Sequence, residues 1–338
     1  MNKYLTIVIP AYNMQDYLER CLDSLIVPQP MLDKLEVLII NDGSKDNSSK
    51  IAHDYENRFP NVFRVIDKDN GNYGSCINYG LKEAKGKYIK ILDADDWFDT
   101  NGLMELISNL SSLKEDVDLI LTDYKLVDET GKELSIGQQK NIASGEIFDF
   151  NSKQVIYYPM YMITYRVDLL RNIGYRQTEG IFYTDAEWAN CPLYNVKRCV
   201  YYPCLVYTYL KGRVGQSTDF SVIVNRIWQL KTVLKSLVEY RKHIDVSRYP
   251  MADDHNTHAI YILAINIFNI LLVKTTPSAD DLNSLDELDL YLKNNCPEIW
   301  NESGRAIVKK WLPIKYVAYW RKKRKIHPLV TIINKYLR

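Results

Sequence analysis

Residues 87–100 read KYIKILDADDWFDT, and the chemistry is concentrated in the middle of this stretch. An apolar run, Tyr88 to Leu92, stops at Asp93-Ala94-Asp95-Asp96, three carboxylates in four residues. Carboxylates crowded in this way repel one another and favour water or a cation. Hard divalent cations such as Mg²⁺ and Mn²⁺ take oxygen ligands, often one or two carboxylates with phosphate oxygens and water completing the shell. The chain has no GxxxxGK[ST] loop, no GxGxxG after its first apolar run and no His-rich metal spacing. A phosphate ligand held through a metal therefore fits better than one cradled by a glycine loop. The competing reading of DADD is a solvated turn after a strand, because short motifs match by chance.

The elements that would position these groups follow from periodicity. Leu5 to Ile9 is a short β-rich run, and Tyr17, Leu18, Cys21, Leu22 and Leu25 then recur at helical spacing. LEVLII (35–40) is a second apolar run, followed by NDGSKDNS, where Asp46 or Asn47 can cap a helix through Ile51 and Tyr55. VFRVI (62–66) predicts a third strand, GSCINYGLKEAKG a helix closed by Gly86, and YIKIL (88–92) a fourth strand. Strands alternating with helices, and apolar nearly throughout, predict an α/β fold with a mostly parallel sheet covered on both faces. Ligands of such sheets bind at the carboxyl ends of the strands. PAYN, NDGS and DADD each stand at such an end, so the carboxylates are expected at the rim of a cleft, wet and available to a ligand.

Residues 117–135 predict a further strand and a hairpin around Glu129-Thr130-Gly131. From Ser221 the pattern is helical, with Ile223, Ile227, Leu230, Leu234 and Leu237 stepping by four and three. A boundary is placed there, giving an α/β domain over 1–218 and a helical domain over 219–338.

Composition is that of a soluble globular protein, 46% hydrophobic and 25% charged. The formal net charge of +1 is unevenly spread: no acidic residue follows Glu302, whereas eleven Lys/Arg do. The six cysteines form no CxxC pair, which predicts buried thiols in a reducing compartment. The start of the sequence lacks a signal-peptide layout, and Ala259 to Val273 reads as too short to span a bilayer. A cytoplasmic location is expected, with no nucleic-acid partner. His255 and His258, three apart in a polar stretch, read as surface residues.

The blocks TIVIPAYNMQDYLERCLDSL, EVLIINDGSKDNS, NGNYGSCINYGLKEAKGKYIKILDADDW and YTDAEW together resemble family-2 glycosyltransferases of the GT-A fold, over roughly residues 4 to 218. The resemblance implies that Pro10, Ala11 and Tyr12 line a nucleotide base pocket, with the Tyr12 face suited to uracil. It implies that Asp42 accepts from the base or ribose and that Asn70 approaches base and sugar. Asp93 would face the sugar side, with Ala94 and Asn78 also in the substrate site, and Asp95 would be the metal ligand, for Mn²⁺ or Mg²⁺. Asp96 would support from behind, and Asp185 falls where the family's general base sits, with Glu187 the next-best base. GRVGQS (212–217) is similar to a closing segment of some bacterial members. It suggests Arg213 for the diphosphate, with Gln216 and Ser217 adding hydrogen bonds; an ordinary Gly-rich surface loop is the other reading. Two positions depart from the pattern: Thr184 stands before the base where Glu is common, and Cys76-Ile77-Asn78 replaces Ala-Arg-Asn, which leaves donor choice open.

The resemblance therefore implies an inverting, metal-dependent hexosyl- or N-acetylhexosaminyl-transferase. It would use a nucleotide-sugar donor, a UDP-sugar, and a glycan or lipid-linked acceptor in bacterial cell-surface polysaccharide synthesis. The alternatives are a non-catalytic sugar-nucleotide-binding protein, against which Asp93, Asp95 and Asp185 argue, and a nucleotidyltransferase, whose basic Gly-rich loop PAYNMQDY does not supply. The richness in Tyr between 150 and 210 suits sugar stacking or core packing. The tail, 303–338, joins the basic run Arg321 to Lys325 to an apolar face of Leu329, Val330, Ile332, Ile333, Tyr336 and Leu337, with Trp311, Tyr316, Tyr319 and Trp320 upstream. It reads as an anchor to an anionic membrane surface, or as a face packed on the helical domain or on a second subunit in a homo-oligomer.

Overall fold

The computed structural model describes residues 3–213, 215–330 and 332. It divides between Asp219 and Phe220: one unit comprises the chain to Asp219 with 247–252, the other Phe220–Val246 and the residues from Asp253 on.

In the first unit, β1 (Leu5–Ala11), α1 (Leu18–Asp23), β2 (Leu35–Asn41), α2 (Ser48–Arg58), β3 (Phe63–Asp67), α3 (Asn72–Glu83) and β4 (Tyr88–Ile91) alternate. β5 (Trp97–Phe98), α4 (Thr100–Ser112), β6 (Leu119–Val127), β7 (Glu133–Gly137) and β8 (Ile147–Asp149) follow. β9 (Ile163–Arg166), α5 (Val167–Asn172), α6 (Asp185–Asn190) and the long β10 (Arg198–Leu210) complete the unit. The sheet runs β3-β2-β1-β4-β9-β6-β10-β5, with β7 beside β6 and β8 beside β10. β1 is parallel to β2 and β4, β2 to β3, and β6 to β10; β9 is antiparallel to β4 and β6. All seven residues of β2 are buried, as are Leu5, Ile7, Val8 and Ile9 of β1. That is why these strands read as unbroken apolar runs: helices cover both faces. Each such aliphatic side chain contributes about 1.5–3 kcal/mol by leaving water.

Register decides where the polar loops fall. Ala11 pairs with Asn41, and Asn41 with Asp67, so β1, β2 and β3 end level. The loops after β1, β2 and β4 therefore open at one edge of the sheet. The hairpin expected near residue 130 joins β6 to β7. All six cysteines are buried free thiols.

The second unit is helical: α7 (Phe220–Asn225), α8 (Ile227–Lys242), α9 (Pro250–Asn269), α10 (Ala279–Asn295), α11 (Pro297–Ser303) and α12 (Tyr316–Lys323). Leu230, Val233, Leu234, Leu237 and Val238 give α8 its buried stripe. α10 opens on a capping box between Ser278 and Asp281. Arg241 ties three helices by bonding Asp253 (2.6 and 3.0 Å) and Glu298 (2.8 Å).

Two expectations are corrected here. α9 continues into a wide turn, Ile270–Lys274, and the 25-residue helix is long and apolar enough to cross a membrane by length and composition, with half of its most apolar window buried in the protein. Asn266 and Asn269 interrupt the apolar sequence without ending the helix: Asn266 is exposed and Asn269 half-buried, so neither amide is fully withdrawn from water. His255 is buried on the same helix. The tail, in turn, is only partly a free surface. Tyr316 and Trp320 are buried, and Arg321 donates to Asp289 (2.7 Å), the carbonyl of Trp300 (2.7 Å) and Ser303 Oγ (2.8 Å). Arg324 pairs with Asp286. Val330 is buried while Leu329 and Ile332 are exposed; Ile333, Tyr336 and Leu337 lie outside the described residues.

Candidate active site

The loops after β1 and β2 are stitched together. The Asn13 amide donates to Ser44 Oγ (3.0 Å) and Lys45 N–H to Asn13 Oδ1 (2.8 Å). Pro10 is half-buried and Ala11 buried, while the Tyr12 ring is exposed and free to stack. Asp42 lies beneath them, almost fully buried. Its carboxylate accepts from Lys68 Nζ and from the amides of Gly71 and Asn72 (2.9 Å each), the entry to α3. With three protein donors on it, about one lone-pair direction remains for a ligand. Asn70 is exposed, with its amide nitrogen on the Asp42 carbonyl at 3.0 Å.

The three carboxylates of DADD have three different environments, and the expectation that all are wet is corrected. Asp96 is completely buried. It accepts from Tyr207 Oη (2.7 Å) and the Leu210 amide (2.8 Å), and burial, with Asp95 and Asp93 adding, holds its carboxyl well above the ordinary range. It is a structural group that pins the end of β10. Asp93 is half-buried; its Oδ1 accepts from Tyr73 Oη at 2.8 Å, and its amide donates to Tyr207 Oη at 3.1 Å. Burial, then the charge of Asp95, push its carboxyl up to about 7 against the Tyr73 hydrogen bond, with Asp185 adding to the rise. Ala94 is buried. Asp95 Oδ2 takes Arg213 Nε and Nη2, both at 2.9 Å.

Asp185 stands at the first position of α6 and is exposed. Protein crowds it on the remaining sides: burial pushes its carboxyl upward against the amides of Ala186 and Asp185 itself. It is thus open to solvent on one side and crowded by protein on the others. Its position is set from α3. Gly74 lies so close to residue 178 that a Cβ there would sit 2.0 Å from the Thr178 carbonyl oxygen. One turn on, Asn78 Oδ1 accepts from Gln177 N–H (2.9 Å), and its Nδ2 donates to the Gln177 carbonyl (3.0 Å) and Glu179 (2.8 Å). Gln177 Nε2 donates to the Thr184 carbonyl at 2.7 Å. The buried Glu187 accepts from the Thr178 amide (2.8 Å) and hydroxyl (2.7 Å).

These contacts correct two further readings. Asn78 spends its whole amide on residues 177–179, so it is scaffold. Gln216 is buried, with Oε1 on the Gly212 amide (2.9 Å) and Nε2 on the Leu210 carbonyl (2.6 Å), so it shapes the 212–217 loop from within. Ser217 presents its carbonyl to Tyr183 Oη at 2.8 Å, which links that loop to the approach to Asp185. Tyr73 and Tyr207 carry no sequence signal of their roles: Tyr73 stands in NGNYGS, where nothing local shows that its hydroxyl meets Asp93, and Tyr207 lies within the apolar run of β10. Tyr161 was covered only by the general richness in Tyr; its ring lies 4.7 Å from Tyr207 and 4.9 Å from Tyr209, centre to centre.

No cluster of three His, Cys, Asp or Glu with metal-ligand geometry occurs among the described residues. Asp95 is paired with Arg213 through Oδ2, so a hard cation at Asp95 would have to displace that guanidinium or share the carboxylate with it.

Residues 6–174, half the chain, match the family described as Glycosyl transferase family 2. An uncharacterized glycosyltransferase of Mycoplasma pneumoniae, the MG025 homolog, is 40% identical over 110 residues, 32% of this chain and 36% of the relative. The minor teichoic acid biosynthesis protein GgaB of Bacillus subtilis is 25% identical over 251 residues, 72% of this chain and 27% of the relative. The chain thus spans about a third or less of the length of these curated relatives. The crystal structure of S. aureus TarS 1-349 in complex with UDP-GlcNAc superposes with a TM-score of 0.66 at 15% identity, covering 98% of this chain and 91% of that one. At that identity the likeness bears on the fold, a mostly parallel GT-A sheet flanked by helices. With the matched segment carrying both the loop of Asp42 and the DADD turn, the chain belongs to glycosyltransferase family 2.

Proposed function

We propose that the protein transfers a sugar from a nucleotide-sugar, a UDP-sugar, to a hydroxyl of a glycan or lipid-linked acceptor, inverting the anomeric centre. The observation that carries this reading is the pairing of Asp93 and Asp95 with an exposed Asp185 close enough for its charge to raise Asp93. The UDP-GlcNAc bound to TarS and the teichoic acid role in the name of GgaB support the donor and a cell-surface polymer acceptor.

Tyr12 stacks on the base, and the remaining lone pair of Asp42 accepts from base or ribose. Asp93, oriented by Tyr73, faces the sugar. Asp95 would hold Mn²⁺ or Mg²⁺, which when bound neutralises charge on the departing diphosphate. Arg213, released from Asp95, pairs with the same diphosphate. Asp185 takes the proton of the acceptor hydroxyl. The acceptor oxygen forms its bond to the anomeric carbon as the carbon–phosphate oxygen bond breaks, and the nucleoside diphosphate leaves with that electron pair. A single base on the face opposite the leaving group makes this one displacement, hence inversion.

The test is release of UDP from UDP-sugars with Mn²⁺ and no acceptor. Slow release is expected; a protein that binds UDP-sugar yet releases none even with acceptor glycans is a binding module, and the reading fails.

Tyr73→Phe isolates one positioning contact. It keeps the ring and removes the hydroxyl on Asp93. UDP-sugar affinity is expected to fall about tenfold, the scale of a hydrogen bond to a charged group, while affinity for UDP alone stays unchanged. Calorimetric titration of both ligands reads the split; equal losses for UDP and UDP-sugar would make Tyr73 a general structural residue.

A further inference from the structure

Residues 305–315 read RAIVKKWLPIK, with four basic residues and no acidic one. The chain doubles back here. Lys309 N–H donates to the Leu312 carbonyl (3.3 Å), Leu312 N–H to the Lys309 carbonyl (2.9 Å) and Val308 N–H to the Ile314 carbonyl (3.1 Å). Lys310 and Trp311 therefore form the tip of a tight hairpin. Trp311 is 65% exposed, more than any other large hydrophobic residue described, whereas Trp188 and Trp320 are buried. Its ring contact is Lys309 Nζ, 5.7 Å from the centroid. Ile307, on the same hairpin, is also exposed.

A single exposed aliphatic residue needs no explanation. A tryptophan at the tip of a turn, with two adjacent lysines and no acid within eight residues on either side, is different. Indole is favoured at the boundary between headgroups and acyl chains, and lysine carries its apolar stem into that layer while its ammonium meets phosphate. The flanking sequence carries the matching sign: Arg305, Lys315, Lys322, Lys323 and Lys325 are exposed, and no Asp or Glu occurs from residue 303 onward. We propose that the 307–313 hairpin is a membrane-docking turn for anionic lipid, with Trp311 entering the interface and Lys309 and Lys310 pairing with phosphate headgroups. This places the contact on the hairpin. Tyr316 and Trp320 are packed inside and Arg321 is held by Asp289, so these three are not available to lipid.

Co-sedimentation of the full chain with phosphatidylcholine vesicles, with and without phosphatidylglycerol, tests this at low and high salt. Binding is expected only with phosphatidylglycerol and is expected to weaken as salt rises. Trp311→Ala should lower partitioning about tenfold, the effect of withdrawing part of an indole from water-free surroundings, and Trp311→Phe should retain most of it. Lys309→Gln with Lys310→Gln should lower it about thirtyfold, at about fivefold per lysine. These side chains are exposed, so thermal melting should match the parent. The proposal is overturned if the parent binds both vesicles equally or neither, or if the variants partition like the parent. It is equally overturned if Trp311→Ala changes the oligomeric state and leaves vesicle binding intact, since the hairpin then meets a second copy. The assay involves no sugar transfer, so its outcome is separate from the donor-site reading.

Discussion

Asp95→Asn is expected to remove the metal-dependent part of UDP binding and to lower transfer by about 10²–10³-fold, the loss seen when one preorganised electrostatic contact to developing charge is deleted. The neutral amide keeps the shape of the side chain but cannot balance a divalent cation. It also loosens Arg213, whose two 2.9 Å contacts converge on the single oxygen Oδ2 of the carboxylate being altered. The fold should survive: the neighbours that tie this turn to β10 are on Asp96, through Tyr207 and Leu210. The measurement is UDP affinity with and without Mn²⁺ in parent and variant. Equal enhancement by Mn²⁺ in both would remove Asp95 from the metal site.

Asp185→Asn should leave donor binding intact and reduce turnover by about 10²–10⁴-fold, the range for loss of a general base. The base works deprotonated, and crowding raises its carboxyl above the ordinary range. Turnover in the parent should therefore fall as pH drops through that raised value, and the acid limb should vanish in the variant's residual activity. Glu187→Gln is the control. Its carboxylate receives the Thr178 amide and hydroxyl in a buried setting, so an amide there leaves one donor unmatched and costs about 1–3 kcal/mol of stability. Single-turnover kinetics and chemical denaturation separate the two. If Glu187→Gln stops turnover without destabilising the protein, and Asp185→Asn does not, the base has been assigned to the wrong carboxylate.

The alternation of β1, α2, β3, α3 and β4 was legible because apolar periodicity is a local property of the chain. The same holds for the three polar clusters: a strand buried on both faces must be apolar to its end, so the first polar residues mark its rim. The order of the quoted blocks sufficed for the family. The hydrogen-bond partners of each site residue were not legible. Asp93, Asp95 and Asp96 are equivalent in sequence, yet Tyr207 claims one, Tyr73 another and Arg213 the third, from 111, 20 and 118 residues away. Asn78 and Gln216 were read as ligand contacts because an amide in a motif looks available; the structure satisfies both from within, as buried amides must be.

By itself, then, the sequence determined the alternating α/β order, the helical second part and the acidic turn at a strand end, since each rests on residues a few positions apart. The tertiary structure alone decided which carboxylate is buried, which carries a guanidinium and which stands exposed at the start of α6. It also decided that Trp320 is core while Trp311 is surface. Burial and hydrogen-bond satisfaction are set by what folds against a residue, and for these residues the decisive partners come from distant parts of the chain.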